Sequence, residues 1–296
     1  MNAIKKIGFI GLGTMGGAFA ANLVKAGFEV VGHDPFPAAS AAARDAGAQI
    51  VETPAEAAAN ADLVAILVPD VPQIEEVLGG NSGVLTHAGE GRVLMVMSTI
   101  DPGAVGRLAG TVAEAGWRYV DCPIGRTADD ARRANSTFML GGAAQDKMRV
   151  APVLEAIGSQ TIDCGDVGHG MMIKVVNNFM STVGAVLTAE ALRLAEAGGV
   201  KAETVLEVVN GTVAMNGHSK NHYPNKVLAG DISPGFAVKH ARKDCKIAEM
   251  VMARLGMPNY VAPAAIAAYD LAMEQGHGDN DWSDMYNVVG TAKGKS

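Results

Sequence analysis

Aromatic side chains are scarce in this chain, at 5% of residues, so its interior must be built from Ala, Val, Leu, Ile and the 15 methionines. An excess of positive charge is also missing. The formal net charge of -7 argues against a general nucleic-acid or acidic-membrane surface, because phosphate affinity needs concentrated Lys and Arg; only a local basic pocket stays compatible with it. Cysteines number three, Cys122, Cys164 and Cys245. They are scattered, odd in number and without a C-x-x-C pair, which suits a reducing, cytoplasmic compartment and offers no metal site. No run approaches the roughly 20 apolar residues of a membrane span, so no membrane partner is expected. Lys5 and Lys6 precede an apolar run at 7–12, but Gly8 and Gly11 break it, and a first strand explains it better than a signal peptide. What remains, 296 residues with 49% apolar, 19% charged and 36 glycines, is the composition of a soluble globular enzyme long enough for two domains.

The first half alternates β-rich runs, at 6–10, 30–33, 63–67, 93–97, 119–122, 138–140 and 161–163, with Ala-rich helical stretches such as 18–26, 38–46 and 104–115. That alternation predicts parallel strands joined by right-handed crossovers, a doubly wound α/β sheet of the Rossmann type. Strand signals stop near residue 166. Gly168-His169-Gly170 opens a long helical stretch at 171–197, in which Ile173, Val176, Met180, Val183 and Leu187 recur at the three- and four-residue steps of one buried face. Helical patterns follow at 202–209, 236–255 and 262–274. The expected organisation is a dinucleotide-binding α/β domain over 1–164 and an all-α domain over 165–296, ending in a frayed tail at 292–296.

Gly11, Gly13 and Gly16 form G-x-G-x-x-G between a predicted strand and a predicted helix, the context that makes this pattern a dinucleotide fingerprint rather than a plain turn. Gly11 permits the tight turn, Gly13 a close approach to the pyrophosphate, and Gly16 the packing of helix on strand. The helix N-terminus offers free N–H groups to the phosphates. Asp34 follows the second strand about 20 residues on, where a carboxylate accepts from ribose hydroxyls and repels a 2′-phosphate; this favours NAD. A turn before Pro35 is the plainer reading of the same aspartate.

Several separate motifs then resemble the β-hydroxyacid dehydrogenase family across essentially the whole chain: residues 8–16; Met97-Ser98-Thr99-Ile100; Asp121-Cys122-Pro123-Ile124; Gly168-x-Gly170-x-x-x-Lys174-x-x-Asn177-Asn178; and Lys243-Asp244. The resemblance implies hydride transfer to or from NAD, with Lys174 as general acid in reduction and Asn177 and Asn178 orienting the substrate. Physically, hydride addition to a carbonyl leaves an alkoxide that needs a proton and a positive neighbour. Lys174, Asn177, Asn178 and Ser181 fall at i, i+3, i+4 and i+7, one polar stripe on the long helix. Without its motif a helical lysine is most often a solvated charge. The resemblance also places Ser98 beside the substrate, and adds Val68, Pro69, Thr99 and Lys243 to the cofactor contacts of Leu12, Thr14 and Met15. The active site is expected in a cleft between the domains, and dimers or tetramers are implied.

After Pro123 most of the family carries Ser-Gly-Gly, which grips a carboxylate. Here Gly125-Arg126-Thr127 stands in its place. A guanidinium is permanently charged and forks onto two oxygens of an anion. Within the family this pattern resembles the reductase of a sulfonated aldehyde, as do Asn177-Asn178-Phe179-Met180-Ser181, Pro224-Asn225-Lys226-Val227-Leu228 with Gly230-Asp231, and Asp281-Trp282-Ser283. The expected substrate is a small anionic aldehyde, a sulfonate first, with a carboxylate such as succinic or tartronic semialdehyde as the alternative. A pairing of Arg126 with Asp129 or Asp130 would instead only stiffen the loop. A non-catalytic dinucleotide-binding module needs neither Lys174 nor its asparagines, and imine reductases usually lack this lysine. Met171, Met172 and Met180 read as core packing, His169 and His218 as loop residues, and Trp282 as packing.

Overall fold

The structure, a computed structural model, describes residues 3–291, so the tail expected at 292–296 lies outside the described residues. The chain divides into two compact units, Met1–Lys174 and Val175–Ser296. The division falls inside the long helix.

In the first unit the strands are β1 (Lys6–Ile10), β2 (Glu29–His33), β3 (Gln49–Ile50), β4 (Leu63–Ile66), β5 (Val93–Val96), β6 (Arg118–Asp121), β7 (Ile124–Gly125), β8 (Ser136–Gly142) and β9 (Gly158–Gly165). They form one sheet in the order β3-β2-β1-β4-β5-β6-β8-β7, with β9 beside β8. The first six strands are parallel throughout in the order that binds dinucleotides across its switch point, here between β1 and β4. The all-parallel expectation fails beyond β6: β8 runs antiparallel to both β6 and β7. The short segment from Cys122 to Asn135 turns the chain back without a helix long enough for a crossover.

Period-two alternation sorts the strands between two layers. Ile7, Phe9, Leu63, Ala65, Val93 and Met95 face one core with Phe19 and Leu23; Val64, Ile66, Leu94 and Val96 face the other with Ile74, Leu108 and Trp117. Burial on both faces explains why these strands read as continuous apolar runs. The helices of this unit are α1 (Thr14–Lys25), α2 (Ala41–Asp45), α3 (Pro54–Ala58), α4 (Val71–Leu78), α5 (Pro102–Glu114), α6 (Ala128–Arg132) and α7 (Ala144–Ile157). Local chemistry starts several of them: Asp70 accepts from Gln73 N–H and Asp101 from Gly103 N–H, each followed by proline in the first turn.

Helix α8 (His169–Ala197) begins in the first unit and continues into the second, whose other helices are α9 (Ala202–Asn210), α10 (Tyr223–Asn225), α11 (Val238–Arg254), α12 (Ala262–Glu274) and α13 (Met285–Thr291). Most of the stripe expected to be buried is turned outward: Ile173, Val176, Met180 and Leu187 are 45%, 49%, 71% and 60% exposed, while Val183 is partly buried against the core of the second unit. The buried side is Val175, Asn178, Thr182, Ala185, Val186, Ala189 and Leu192. The helix is apolar almost all round, so periodicity fitted two faces. The inward one carries small alanines and the carbonyls of Thr182 and Ala185, which accept from Tyr269 and Tyr223. Met180 is therefore not core packing, whereas Met171 is fully buried. By length and composition α8 would also suffice to cross a bilayer, with a mean hydropathy of 1.2 over 18 residues. Asn177, Asn178, Ser181 and Thr182 interrupt its apolar residues, so no continuous run shows in the sequence.

Candidate active site

The glycine-rich turn closes against the end of β4. Gly11 has φ +90, and a Cβ there would come within 2.2 Å of the Leu67 carbonyl oxygen; one at Gly16 would meet the Gly11 oxygen at 1.9 Å. A Cβ at Gly13 would meet nothing within 4 Å. So Gly11 and Gly16 hold the turn on the sheet, while Gly13 and Thr14 face open space at the start of α1. That helix has no side-chain cap and no acidic residue in its first turn, which leaves its N–H groups and positive dipole end for a pyrophosphate. Met15 is partly buried against the core behind this turn. Leu12 N–H donates to Asp34 Oδ2 at 2.8 Å and Phe36 N–H to Asp34 Oδ1 at 2.9 Å. The carboxylate is thereby aimed, and each oxygen keeps a further acceptor site for a ribose hydroxyl.

Val68 and Pro69 follow β4, and Ser98 and Thr99 follow β5. The buried Ser98 Oγ accepts from Val68 N–H at 3.0 Å, tying the two strand ends together and retaining its own proton to donate. Thr99 is partly buried. Met171 at the start of α8 accepts from Ile100 N–H through its sulfur at 3.3 Å, and one turn later the Lys174 ammonium donates to the Ile124 carbonyl oxygen at 2.5 Å. Lys174 therefore stands against the strand that leads directly into Gly125-Arg126-Thr127.

Within that loop the three residues differ in what they leave available. Thr127 caps α6: it exchanges hydrogen bonds with Asp130 through both its N–H and its hydroxyl. Burial pushes the Asp130 carboxyl up, but the bonds from Thr127 and Asn135 outweigh this and hold it low. Asp129 pairs with Arg132, and Asp130 lies 3.8 Å from Arg133. Arg126 pairs with neither carboxylate; its guanidinium is exposed and donates to the Asn135 carbonyl at 2.8 Å. Its backbone has φ +73, the left-handed region that favours glycine.

In the second unit Asn178 is buried and donates to Asp244 Oδ2 at 2.6 Å, while its own oxygen accepts from Asn177 at 3.0 Å. Asp244 accepts only, so it fixes which way the Asn178 amide faces. Lys243 stands 3.3 Å from Asp244 Oδ1. Ser181 is partly exposed, and its carbonyl accepts from His218 at 2.8 Å. His218 is thus no loop residue but a buried side chain in a π-helical turn (His218–His222), packed edge-on against Trp282. His169 likewise begins α8. The described residues contain no cluster of three or more metal-ligating side chains.

Burial pushes the His218 imidazole down to about 4, with the Ser181 carbonyl pulling it partly back and His222 adding to the fall. In the unfolded chain it titrates near 6.5. Between these values the unfolded state takes up a proton that the folded state refuses. The stability this group contributes is complete above about pH 6.5 and falls toward pH 4, by on the order of 3 kcal/mol. Asp281 keeps its own contribution across that window: burial raises its carboxyl, but bonds from His222 and Ser283 hold it at about 2. The melting temperature should therefore drop between about pH 7 and about pH 4.5, and the drop should shrink in His218→Gln; an unchanged wild-type melting temperature would contradict this.

Comparison with known proteins gives the family. The family model described as the NAD binding domain of 6-phosphogluconate dehydrogenase matches residues 6–168. The one described as NAD-binding of NADP-dependent 3-hydroxyisobutyrate dehydrogenase matches residues 168–289. The 3-sulfolactaldehyde reductase of Escherichia coli (strain K12) is 35% identical over 97% of this chain and 97% of its own length. Mitochondrial 3-hydroxyisobutyrate dehydrogenase of Mus musculus is 30% identical over 96% and 86%. Among solved structures, the 3-hydroxyisobutyrate dehydrogenase of Mycobacterium tuberculosis with L-serine superposes with a TM-score of 0.88 at 29% identity, covering 97% of this chain and 99% of that one. With the fingerprint turn seated at the β1/β4 switch point and matches running from end to end, the chain belongs to the β-hydroxyacid dehydrogenase family of NAD-dependent oxidoreductases acting on hydroxyl and aldehyde groups.

Proposed function

We propose that the protein reduces a small anionic aldehyde, 3-sulfolactaldehyde before its carboxylate analogues, to the primary alcohol, with Lys174 as proton donor. Bound NADH supplies the hydride to the carbonyl carbon. Gly11, Leu12, Gly13, Thr14, Met15 and Gly16 hold the dinucleotide phosphates, Asp34 its ribose, and Val68, Pro69, Thr99 and Lys243 complete the cofactor contacts. As the carbonyl oxygen gains charge, the Lys174 ammonium gives it a proton and stabilises the developing anion before the transfer is complete. Ser98, Asn177, Asn178 and Ser181 orient the substrate, Asn177 through the amide that Asp244 fixes. Gly125 and Thr127 shape the loop, and Arg126 holds the anionic end.

The observation that carries the sulfonate reading is Arg126: an exposed guanidinium, paired with neither neighbouring carboxylate, sits two residues after the Ile124 carbonyl that Lys174 touches. Its backbone conformation belongs to glycine, and a residue kept there against that preference points to a functional demand. The 35% identity to a 3-sulfolactaldehyde reductase supports the same reading. The test is kcat/KM with NADH on 3-sulfolactaldehyde against succinic, tartronic and methylmalonic semialdehydes. Preference for the sulfonate by at least about tenfold, roughly 1.4 kcal/mol, is expected; a preference for any of the carboxylates would replace it.

The outward apolar residues of α8, with Leu194 at 76% exposure, are of the kind that partners cover. A homodimer or homotetramer is the expected state, and light scattering that returned a monomer would contradict it. The three cysteines are free thiols, which fits a cytoplasmic location.

A further inference from the structure

Asp121 ends β6 with its side chain fully buried, and nothing in the chemistry above uses it. Its two oxygens reach a different element. Oδ1 accepts from Gly168 N–H and Oδ2 from Met171 N–H, both at 2.7 Å. These are orphan donors around the start of α8, which every helix must satisfy from outside itself. Most helices do so with their own preceding residue. Here a strand 47 residues earlier supplies the cap, so capping also fixes where the helix stands on the sheet.

Two glycines make the approach possible. A Cβ at Gly141, the partner of Asp121 across β8, would come within 2.6 Å of Oδ1. One at Gly170 would come within 2.9 Å of Oδ2 and 2.3 Å of the Met139 carbonyl oxygen. The arrangement closes into a ring. Asp121 binds Met171; three residues on, about 4.5 Å along the axis, Lys174 reaches the Ile124 carbonyl; and Ile124 is three residues after Asp121 in the chain. The carboxylate also sets a negative charge against the positive end of the helix dipole, in a site where burial strengthens both interactions.

We propose that Asp121 is a positioning residue for catalysis, holding the first turn of α8 through Gly168 and Met171 so that the Lys174 ammonium stands at the reacting carbonyl oxygen. The inference rests on Lys174 being the proton donor. Proton transfer tolerates little error in placement, and a displacement of about 1 Å costs up to 10²-fold. Asp121→Asn preserves shape but presents an NH₂ group to one of the two N–H donors, so one contact becomes repulsive.

The test is a cycle of Asp121→Asn and Lys174→Met, read as kcat, KM for NADH and NADH affinity by fluorescence. Asp121→Asn alone should lower kcat by about 10- to 100-fold with NADH affinity held within about twofold. In the Lys174→Met background the same change should lower kcat by less than about twofold, because a residue that acts through the lysine has nothing left to position. A full multiplicative loss in that background overturns the proposal and makes Asp121 a general stabiliser. Should Lys174→Met itself retain activity, the reading of Lys174 fails instead, so the two failures are distinct. If Asp121→Asn does not fold, Gly168→Ala serves: its Cβ meets nothing closer than 3.7 Å, but φ +90 strains the turn and weakens the Gly168 contact without touching the carboxylate. It should show a smaller kcat loss with the same dependence on Lys174, and an equal loss in both backgrounds would again overturn the proposal.

Discussion

Lys174→Met is expected to lower kcat for aldehyde reduction by about 10²- to 10⁴-fold, the usual worth of a placed general acid. NADH affinity should be unchanged within about twofold, since Met lacks only the ammonium and the glycine-rich turn is untouched. The unbranched stem is kept, so the half-buried first turns of α8 should pack as before. Lys174→Arg makes a second comparison. It retains the positive charge, but a guanidinium does not release its proton at neutral pH, so most of the loss should persist. A loss of less than about tenfold in either variant would remove the lysine from the chemistry.

Arg126→Gly should move stability and activity in opposite directions. A non-glycine residue in the left-handed region costs about 1–2 kcal/mol, and the Arg126–Asn135 contact returns part of that as an exposed hydrogen bond. The variant should therefore unfold at an equal or higher temperature than the wild type. Hydrogen bonds to a charged group are worth about 1.5–3 kcal/mol, so kcat/KM for the sulfonated aldehyde should fall by about 10- to 150-fold. The sulfonate reading requires the loss for a carboxylate aldehyde to be several-fold smaller. Equal losses on both substrates, or a lower melting temperature, would leave Arg126 as a structural residue of the loop.

The parallel half of the sheet was legible because its signals are local. Continuous apolar runs, G-x-G-x-x-G and a trailing aspartate each depend on a few adjacent residues. Short β3 and β7 carry too few residues to register, and Pro152 inside α7 reads as a helix break. The antiparallel β8 is set by how the 122–135 segment turns, which no periodicity encodes. On α8 the pattern was seen and the wrong face chosen, because apolar residues lie on both sides and only the buried Asn178–Asp244 pair and the tyrosine contacts decide between them. Lys174, Ser98 and the Arg126 loop are proposed from motifs. What the motifs could not convey is that Thr127 commits its hydrogen bonds to Asp130, that Arg126 has glycine's backbone, and that Asp121 reaches α8. Each is a contact or a dihedral, not a residue type.

The most direct measurement is a structure of the enzyme with NAD and the alcohol product bound. It should place the Lys174 nitrogen within about 2.6–3.2 Å of the product hydroxyl oxygen, having shifted that contact from the Ile124 carbonyl, with Arg126 on the sulfonate. An ammonium still held by Ile124, with the hydroxyl bound to some other proton donor, would contradict the account at its centre.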